Sequence, residues 1–259
     1  LGAWQMDVKS RRLRFDTDIP RLPHVRDASC VRLHDFGYPH APILDVVFAS
    51  DARSKAMLDT GSPAYFAISP PDLAGAKAAG GVGRVIEGHG SAGASLGGQA
   101  PDSDQLMAEL TSLSVGGLPL GPVGAVRRER SPSLIGAAML RHFVVTLDSR
   151  AGRACFKRLD QVPLAESSFG FTLAFLDGLR VALVWEDSAA AQAGLRPGTL
   201  LVAINGQPAQ ATTEGIARAI AALEAEQIHL EWDGGSASLR RQASMLAPPS
   251  HARCPDAGC

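Results

Sequence analysis

The residues with the clearest chemical potential are Asp59, Thr60, Gly61 and Ser62, which follow the apolar run Ala56-Met57-Leu58. A glycine directly after an Asp-Thr pair permits a tight loop, and such a loop brings the carboxylate to the backbone of its partner. That setting suits acid–base work. Two carboxylates held close together cannot both ionise easily, so one proton is shared; one group then activates water as a base and the other serves as acid. The two titrate as a pair. One Asp-Thr-Gly is present and no Asp-Ser-Gly. Were such a pair to form here, its second carboxylate would come either from a second copy in a symmetric homodimer, the favoured reading, or from a preceding lobe.

Other candidate motifs have weaker support. Gly88-His89-Gly90-Ser91-Ala92-Gly93 carries the glycine spacing of a dinucleotide loop, and Gly93-Ala94-Ser95-Leu96-Gly97 that of a nucleophile elbow. Both need a helix directly afterwards, and Gly98-Gln99-Ala100-Pro101 does not start one. His89 reads as an exposed loop residue. His251, Cys254 and Cys259 fit no common ligand spacing, so neither a metal nor another cofactor is expected. Cys30, Cys155, Cys254 and Cys259 form an even set that permits disulfides without demanding them, and their pairing stays open.

The elements that must position these groups fall into two patterns, and 259 residues suit two domains of ordinary size. With 46% apolar and 20% charged residues and a net charge of -1, nothing points to nucleic acid or an anionic membrane. The short basic clusters Arg11-Arg12-Leu13-Arg14 and Arg127-Arg128-Glu129-Arg130 read as solvated faces. No apolar run is long enough to span a membrane. From residue 40 the pattern is mainly strands: 42–48 and 56–58 as a hairpin, a short helix from Pro71 to Ala79, then strands around 106–115, 122–127, 144–148 and 154–156. Leu134-Ile135-Gly136 is an apolar pair and a glycine leading into a short helical stretch that ends at Phe143. The second pattern runs strand, strand, helix, strand, helix, strand from Phe169 to Trp232. Asp177-Gly178 and Asn205-Gly206 mark turns, and Ile216, Ile220 and Leu223 share one helix face. The predicted divisions are an N-terminal arm over 1–39, a mainly β domain over 40–162, a small α+β domain over 163–246 and a flexible tail over 247–259. Met6 to Phe15 echoes Leu147 to Phe156: an apolar residue and Asp, a basic turn, then a strand ending in Phe. The arm is either an extra hairpin in the sheet, which is favoured, or the remnant of a preceding lobe.

Taken in order, the apolar strand, Asp59-Thr60-Gly61-Ser62, a glycine-rich segment, Leu134-Ile135-Gly136 and Val145-Thr146-Leu147-Asp148 resemble the retropepsin-like aspartic proteases over residues 40–158. The resemblance implies a closed β-barrel lobe and an endopeptidase in which Asp59 is the catalytic carboxylate. It also implies that Thr60 locks the two Asp loops, that Leu134, Ile135 and Gly136 support the site, and that a homodimer shares it. It implies a glycine-bearing hairpin flap as well, for which Gly80, Gly81, Val82 and Gly83 are the candidate tip and Gly88 to Ser91 a rival. The flap segment has no tyrosine, so its substrate contacts stay open. Residues 164–242 resemble PDZ domains. That resemblance implies a carboxylate-binding loop at Ser168-Phe169-Gly170-Phe171 and a peptide groove formed by Phe169, Gly170, Phe171, Leu173, Ile216 and Ile220. A protein or peptide substrate is the expected partner, and the rival reading is a catalytically silent dimeric scaffold that binds peptides. Related pairings suggest an exported or periplasmic location, with no signal peptide visible in this chain. The tail after Ala247 is a candidate ligand for the chain's own groove.

Overall fold

The computed structural model describes residues 2–35, 41–49, 52–95, 98–161, 164, 167–242 and 244–246. The tail from 247 onward, with His251, Cys254 and Cys259, lies outside them. In chain order the first strands are β1 (Ala3–Asp7), β2 (Arg12–Asp16), β3 (Ser29–Arg32), β4 (Ile43–Phe48), β5 (Ala52–Asp59) and β6 (Phe66–Ile68). Helix α1 (Pro70–Ala78) leads to β7 (Val82–Ser91), β8 (Ala94–Ser95), β9 (Gly98–Gln99), β10 (Asp102–Val115), β11 (Leu118–Arg127) and β12 (Ser133–Gly136). A 3-10 turn, Ala137–Arg141, precedes β13 (Phe143–Asp148) and β14 (Arg153–Arg158). Next come β15 (Phe171–Phe175), β16 (Leu179–Trp185), α2 (Ala189–Gln192), β17 (Leu201–Ile204), β18 (Gln207–Pro208), α3 (Thr213–Leu223), β19 (Gln227–Trp232) and β20 (Gly235–Arg240).

The chain folds as two compact units. One comprises Leu1–Val85 and Leu106–Glu166, the other Ile86–Gln105 and Ser167–Cys259. In the first, six strands in the order β11-β6-β12-β5-β4-β10 close into a barrel because β10 also pairs with β11. Alternating burial along β4 turns Leu44, Val46 and Phe48 inward. There Phe48 meets Phe66 edge to face with ring centroids 5.8 Å apart. Fully burying side chains of this size contributes about 1.5–3 kcal/mol each. A five-stranded sheet, β2-β1-β13-β14-β3, adds Phe143, Val145, Leu147 and Phe156 to the same core. The N-terminal hairpin is thus part of this sheet, joined through β1 to β13.

Cys30 and Cys155 stand opposite each other where β3 pairs with β14, and they form a disulfide across a separation of 125 residues. Spacing alone left this pairing open; sheet register decides it. Closing so long a loop restricts the unfolded chain, so a Cys30→Ser, Cys155→Ser variant should lose about 2–5 kcal/mol of stability. Urea unfolding with and without reductant checks this: reductant should lower the wild-type midpoint and leave the variant unchanged.

In the second unit, β18-β17-β19-β20 form a sheet. Strand β16 lies between β15 and the far part of β7. Phe169, Phe171, Leu179, Val181, Leu201, Ile228 and Leu230 fill its core. Ser188 caps α2 by accepting the Ala191 N–H at 3.0 Å, and Thr212 caps α3 by accepting the Gly215 N–H at 3.1 Å.

The glycines singled out as a flap tip sit elsewhere. Gly80 and Gly81 end α1, where their N–H groups bond to the Lys77 and Ala76 carbonyls, and Val82 and Gly83 begin β7. This segment is the base of the hairpin made by β7 and β10, and the chain reverses only between Ser91 and Asp102. The rival tip, Gly88 to Ser91, is extended strand paired with β16, with Gly88 opposite Trp185 and Gly90 opposite Leu183. A Cβ on Gly88 would lie 2.7 Å from the Trp185 ring, and one on Gly90 only 2.1 Å from the Ala182 carbonyl oxygen. These glycines serve close strand approach. Gly90→Ala, at φ +130°, should therefore detach the hairpin end from β16 and speed amide exchange at Glu186, whose N–H donates to Glu87 O across this pairing, about tenfold or more. Unchanged exchange would show that the pairing does not depend on Gly90.

Candidate functional site

Asp59 ends β5 directly beside Gly136 of β12, a strand that runs parallel to β5 and antiparallel to β6 and fills the gap between them. The loop after Asp59 is stitched to β12 by backbone bonds. Ala137 N–H donates to Ser62 O at 2.7 Å, and Gly136 N–H donates to Tyr65 O at 3.1 Å. Only glycine fits at 136, since a Cβ there would lie 2.0 Å from Ala64 O. Leu134 and Ile135 are buried beneath the loop. The Asp59 side chain is half-buried, and its Oδ1 accepts the Gly61 N–H at 2.9 Å. Thr60 is exposed and Ser62 half-buried. The structure therefore brings Asp59, Gly61, Ser62, Leu134, Ile135 and Gly136 together and leaves Gly80 to Gly83 in a different part of the chain.

Three features around this loop escape sequence reasoning. Arg128, counted among solvated basic residues, is half-buried and donates from Nη1 to Pro132 O at 2.6 Å. Burial draws its guanidinium below the ordinary arginine value, and the negative charge of Asp59 opposes that shift. Its place at the end of the apolar strand β11 was the available signal. Second, Tyr65 Oη lies 3.1 Å from His142 Nε2, and His142 Nδ1 lies 2.9 Å from Asp160 Oδ1. This chain of polar side chains starts at Tyr65, whose backbone carbonyl accepts the Gly136 N–H beside the Asp59 loop. A histidine inside the apolar run Met139 to Phe143 hinted at a buried partner. Third, the fully buried Ser133 accepts the Ser69 N–H at 2.9 Å and donates to Asp72, tying α1 to β12.

In the second unit the segment at Ser168 to Phe171 forms a turn before β15. Gly170 has φ +88°, and a Cβ on it would lie 2.0 Å from Ser188 Cβ. Its N–H donates to Ser168 Oγ at 3.0 Å. Phe169 and Phe171 are buried with ring centroids 6.4 Å apart. Leu173 is half-buried, and β15 ends its sheet with one edge unpaired among the described strands. On α3, Gly215 and Ala219 face the core, Ile216 is half-buried and Ile220 is 51% exposed. Residues 180–233 match the PDZ domain family. This segment is a PDZ domain. Ile216 and Ile220 fall inside the matched stretch, while the turn at Ser168 to Phe171 and strand β15 precede it. PDZ domains take an extended peptide as an added strand, with loop amides for its terminal carboxylate. A hollow of about 380 Å³ lies against another side of α3, walled by Leu179, Ile204, Pro208, Gly215, Ala219 and Ala222, so it is separate from the predicted peptide groove. No curated protein sequence matches the chain. Among the described residues, no helix is long and apolar enough to cross a membrane, and no group of three His, Cys, Asp or Glu residues could hold a metal.

Proposed function

We propose that this protein is an aspartic endopeptidase of the retropepsin-like kind, with Asp59 as one of two catalytic carboxylates and the PDZ domain binding substrate or partner peptides. The observation that carries the reading is the Asp59 loop, an Asp-Thr-Gly-Ser turn at the mouth of a closed barrel strand, held by backbone bonds to Gly136. Such stitching fixes a carboxylate without occupying it. One oxygen of Asp59 receives the Gly61 N–H, which leaves acceptor capacity for a water. With a second carboxylate opposite, one group takes a proton from that water as it attacks the peptide carbonyl, and the other protonates the leaving amine. In this reading Thr60, which is exposed on the loop, bonds to the opposing loop, as the resemblance implies. The half-buried Arg128 lies close enough to feel the charge of Asp59. The Cys30–Cys155 disulfide suits an oxidising compartment and hence an exported protein.

The reading is tested by incubating the full-length protein with an unfolded protein at acidic pH and mapping new chain ends by mass spectrometry. Cleavage suppressed by a statine-containing peptide is the expected result, and intact substrate would count against it. A second reading, a peptide-binding protein without turnover, is favoured by the PDZ match at 180–233. It predicts saturable binding of C-terminal peptides and no new ends.

A further inference from the structure

Two hairpins of the five-stranded sheet repeat one another at a fixed offset. Gln5 and Thr146, 141 residues apart, stand opposite each other where β1 meets β13, and Gln5 Nε2 donates to Thr146 Oγ1 at 2.8 Å. Trp4 faces Leu147, and Met6 faces Val145. The same offset makes Trp4 the counterpart of Val145 and Met6 the counterpart of Leu147, so exchanging the hairpins leaves the register unchanged. A local two-fold axis passes between Gln5 and Thr146. The turns agree in detail. Asp7 Oδ1 accepts the Ser10 N–H at 3.1 Å, and Asp148 Oδ1 accepts the Ala151 N–H at 2.9 Å. The following residues, Arg11 and Gly152, have φ of 53° and 60°. Arginine rarely takes this left-handed conformation, yet Arg11 holds it at the position where the second hairpin has Gly152.

The surroundings break the symmetry. Ala154 and Phe156 are 0% and 8% exposed in the core, whereas their counterparts Leu13 and Phe15 are 57% and 69% exposed. The outer edge of β14 is paired with β3, while β2 ends its sheet among the described strands. A hollow of about 260 Å³, lined by Trp4, Phe15 and Thr17, opens beside it. Natural sheets cover or blunt an apolar edge of this kind.

We propose that β1 and β2 are the closing hairpin of a second lobe built like the first, whose counterpart of β3 pairs with β2 and whose barrel covers Leu13 and Phe15. Chain order says where that lobe belongs. The barrel of the first unit precedes β13 and β14, so the second barrel precedes β1 in the same polypeptide. A two-fold homodimer sharing this sheet would need the free edge of β13, and β1 already fills it. The lobe rests on the hairpin geometry alone, and the peptidase reading adds only that it carries the second carboxylate, at the position matching Asp59.

The test compares the 259-residue chain with the full-length protein translated from its natural reading frame, by hydrogen–deuterium exchange of β2 and by light scattering. In the longer protein the β2 amides should exchange about a hundredfold more slowly, and both forms should be monomers. Equal exchange in the two forms, a reading frame that adds no lobe before β1, or a 259-residue dimer that protects β2 would each overturn the proposal. Protected β2 without peptide hydrolysis would keep the second lobe and remove the peptidase reading, so the two failures are distinguishable.

Discussion

Asp59→Asn in the full-length protein is expected to lower peptide hydrolysis by about a thousandfold or more, with loss in kcat rather than KM. The asparagine keeps the shape of the side chain and can still accept the Gly61 N–H through its amide oxygen, so the loop stays in place. What it cannot do is take a proton from water. Asp59 is half-buried at the edge of the core and contributes little apolar packing, so thermal stability should stay within about 0.5 kcal/mol of wild type, the usual range for substitutions away from packed features. Steady-state kinetics and a melting curve on the same preparation separate the two effects. Hydrolysis at the wild-type rate would remove Asp59 from the mechanism, and a large drop in melting temperature would make the loss of activity uninformative.

Gly136→Ala carries the largest structural effect expected at the Asp59 loop itself. The added methyl would lie 2.0 Å from Ala64 O and 2.8 Å from Ser62 O, both backbone atoms of the Asp59 loop, and Ser62 O is held by the Ala137 N–H. Neither can step aside as a flexible side chain would. Either the loop shifts or β12 does, at about 3 kcal/mol, the upper end of overpacking costs, which lowers the melting temperature by roughly 6–12 °C in a unit of this size. Hydrolysis should fall as well, because the carboxylate moves with its loop. An alanine variant with wild-type melting and activity would show that the loop does not depend on this contact.

Much of the barrel could be read in advance because its strands alternate in burial at period two, as in β4, or are short apolar runs, as in β12. The Asp59 loop was legible for the same reason, since an acid, a glycine and an apolar strand leave few local arrangements. The hairpin of β7 and β10 was misplaced because glycine signals both turns and close strand approach. Gly88 and Gly90 need their bare Cα atoms under Trp185 and Ala182, residues far along the chain that local pattern does not reveal. Strand β20, rich in Gly and Ser, has weak β propensity and forms through its pairing with β19. Arg128 and the chain of Tyr65, His142 and Asp160 depend on tertiary neighbours in the same way. The echo between the two hairpins was visible in residue types, whereas its meaning needed the register of β1 on β13 and the contrast between Phe15 and Phe156.

The most direct measurement is calorimetric titration of a statine-containing peptide into the full-length protein and its Asp59→Asn variant at acidic pH. The hydroxyl of such a peptide stands where the attacking water and the developing tetrahedral centre would be, so its affinity reports complementarity to the transition state rather than to substrate. Tight binding to the wild type and a loss of about a hundredfold or more in the variant, a difference near 2.7 kcal/mol, is the predicted result. Equal affinity in both proteins, or no binding to either, would contradict Asp59 as a catalytic carboxylate.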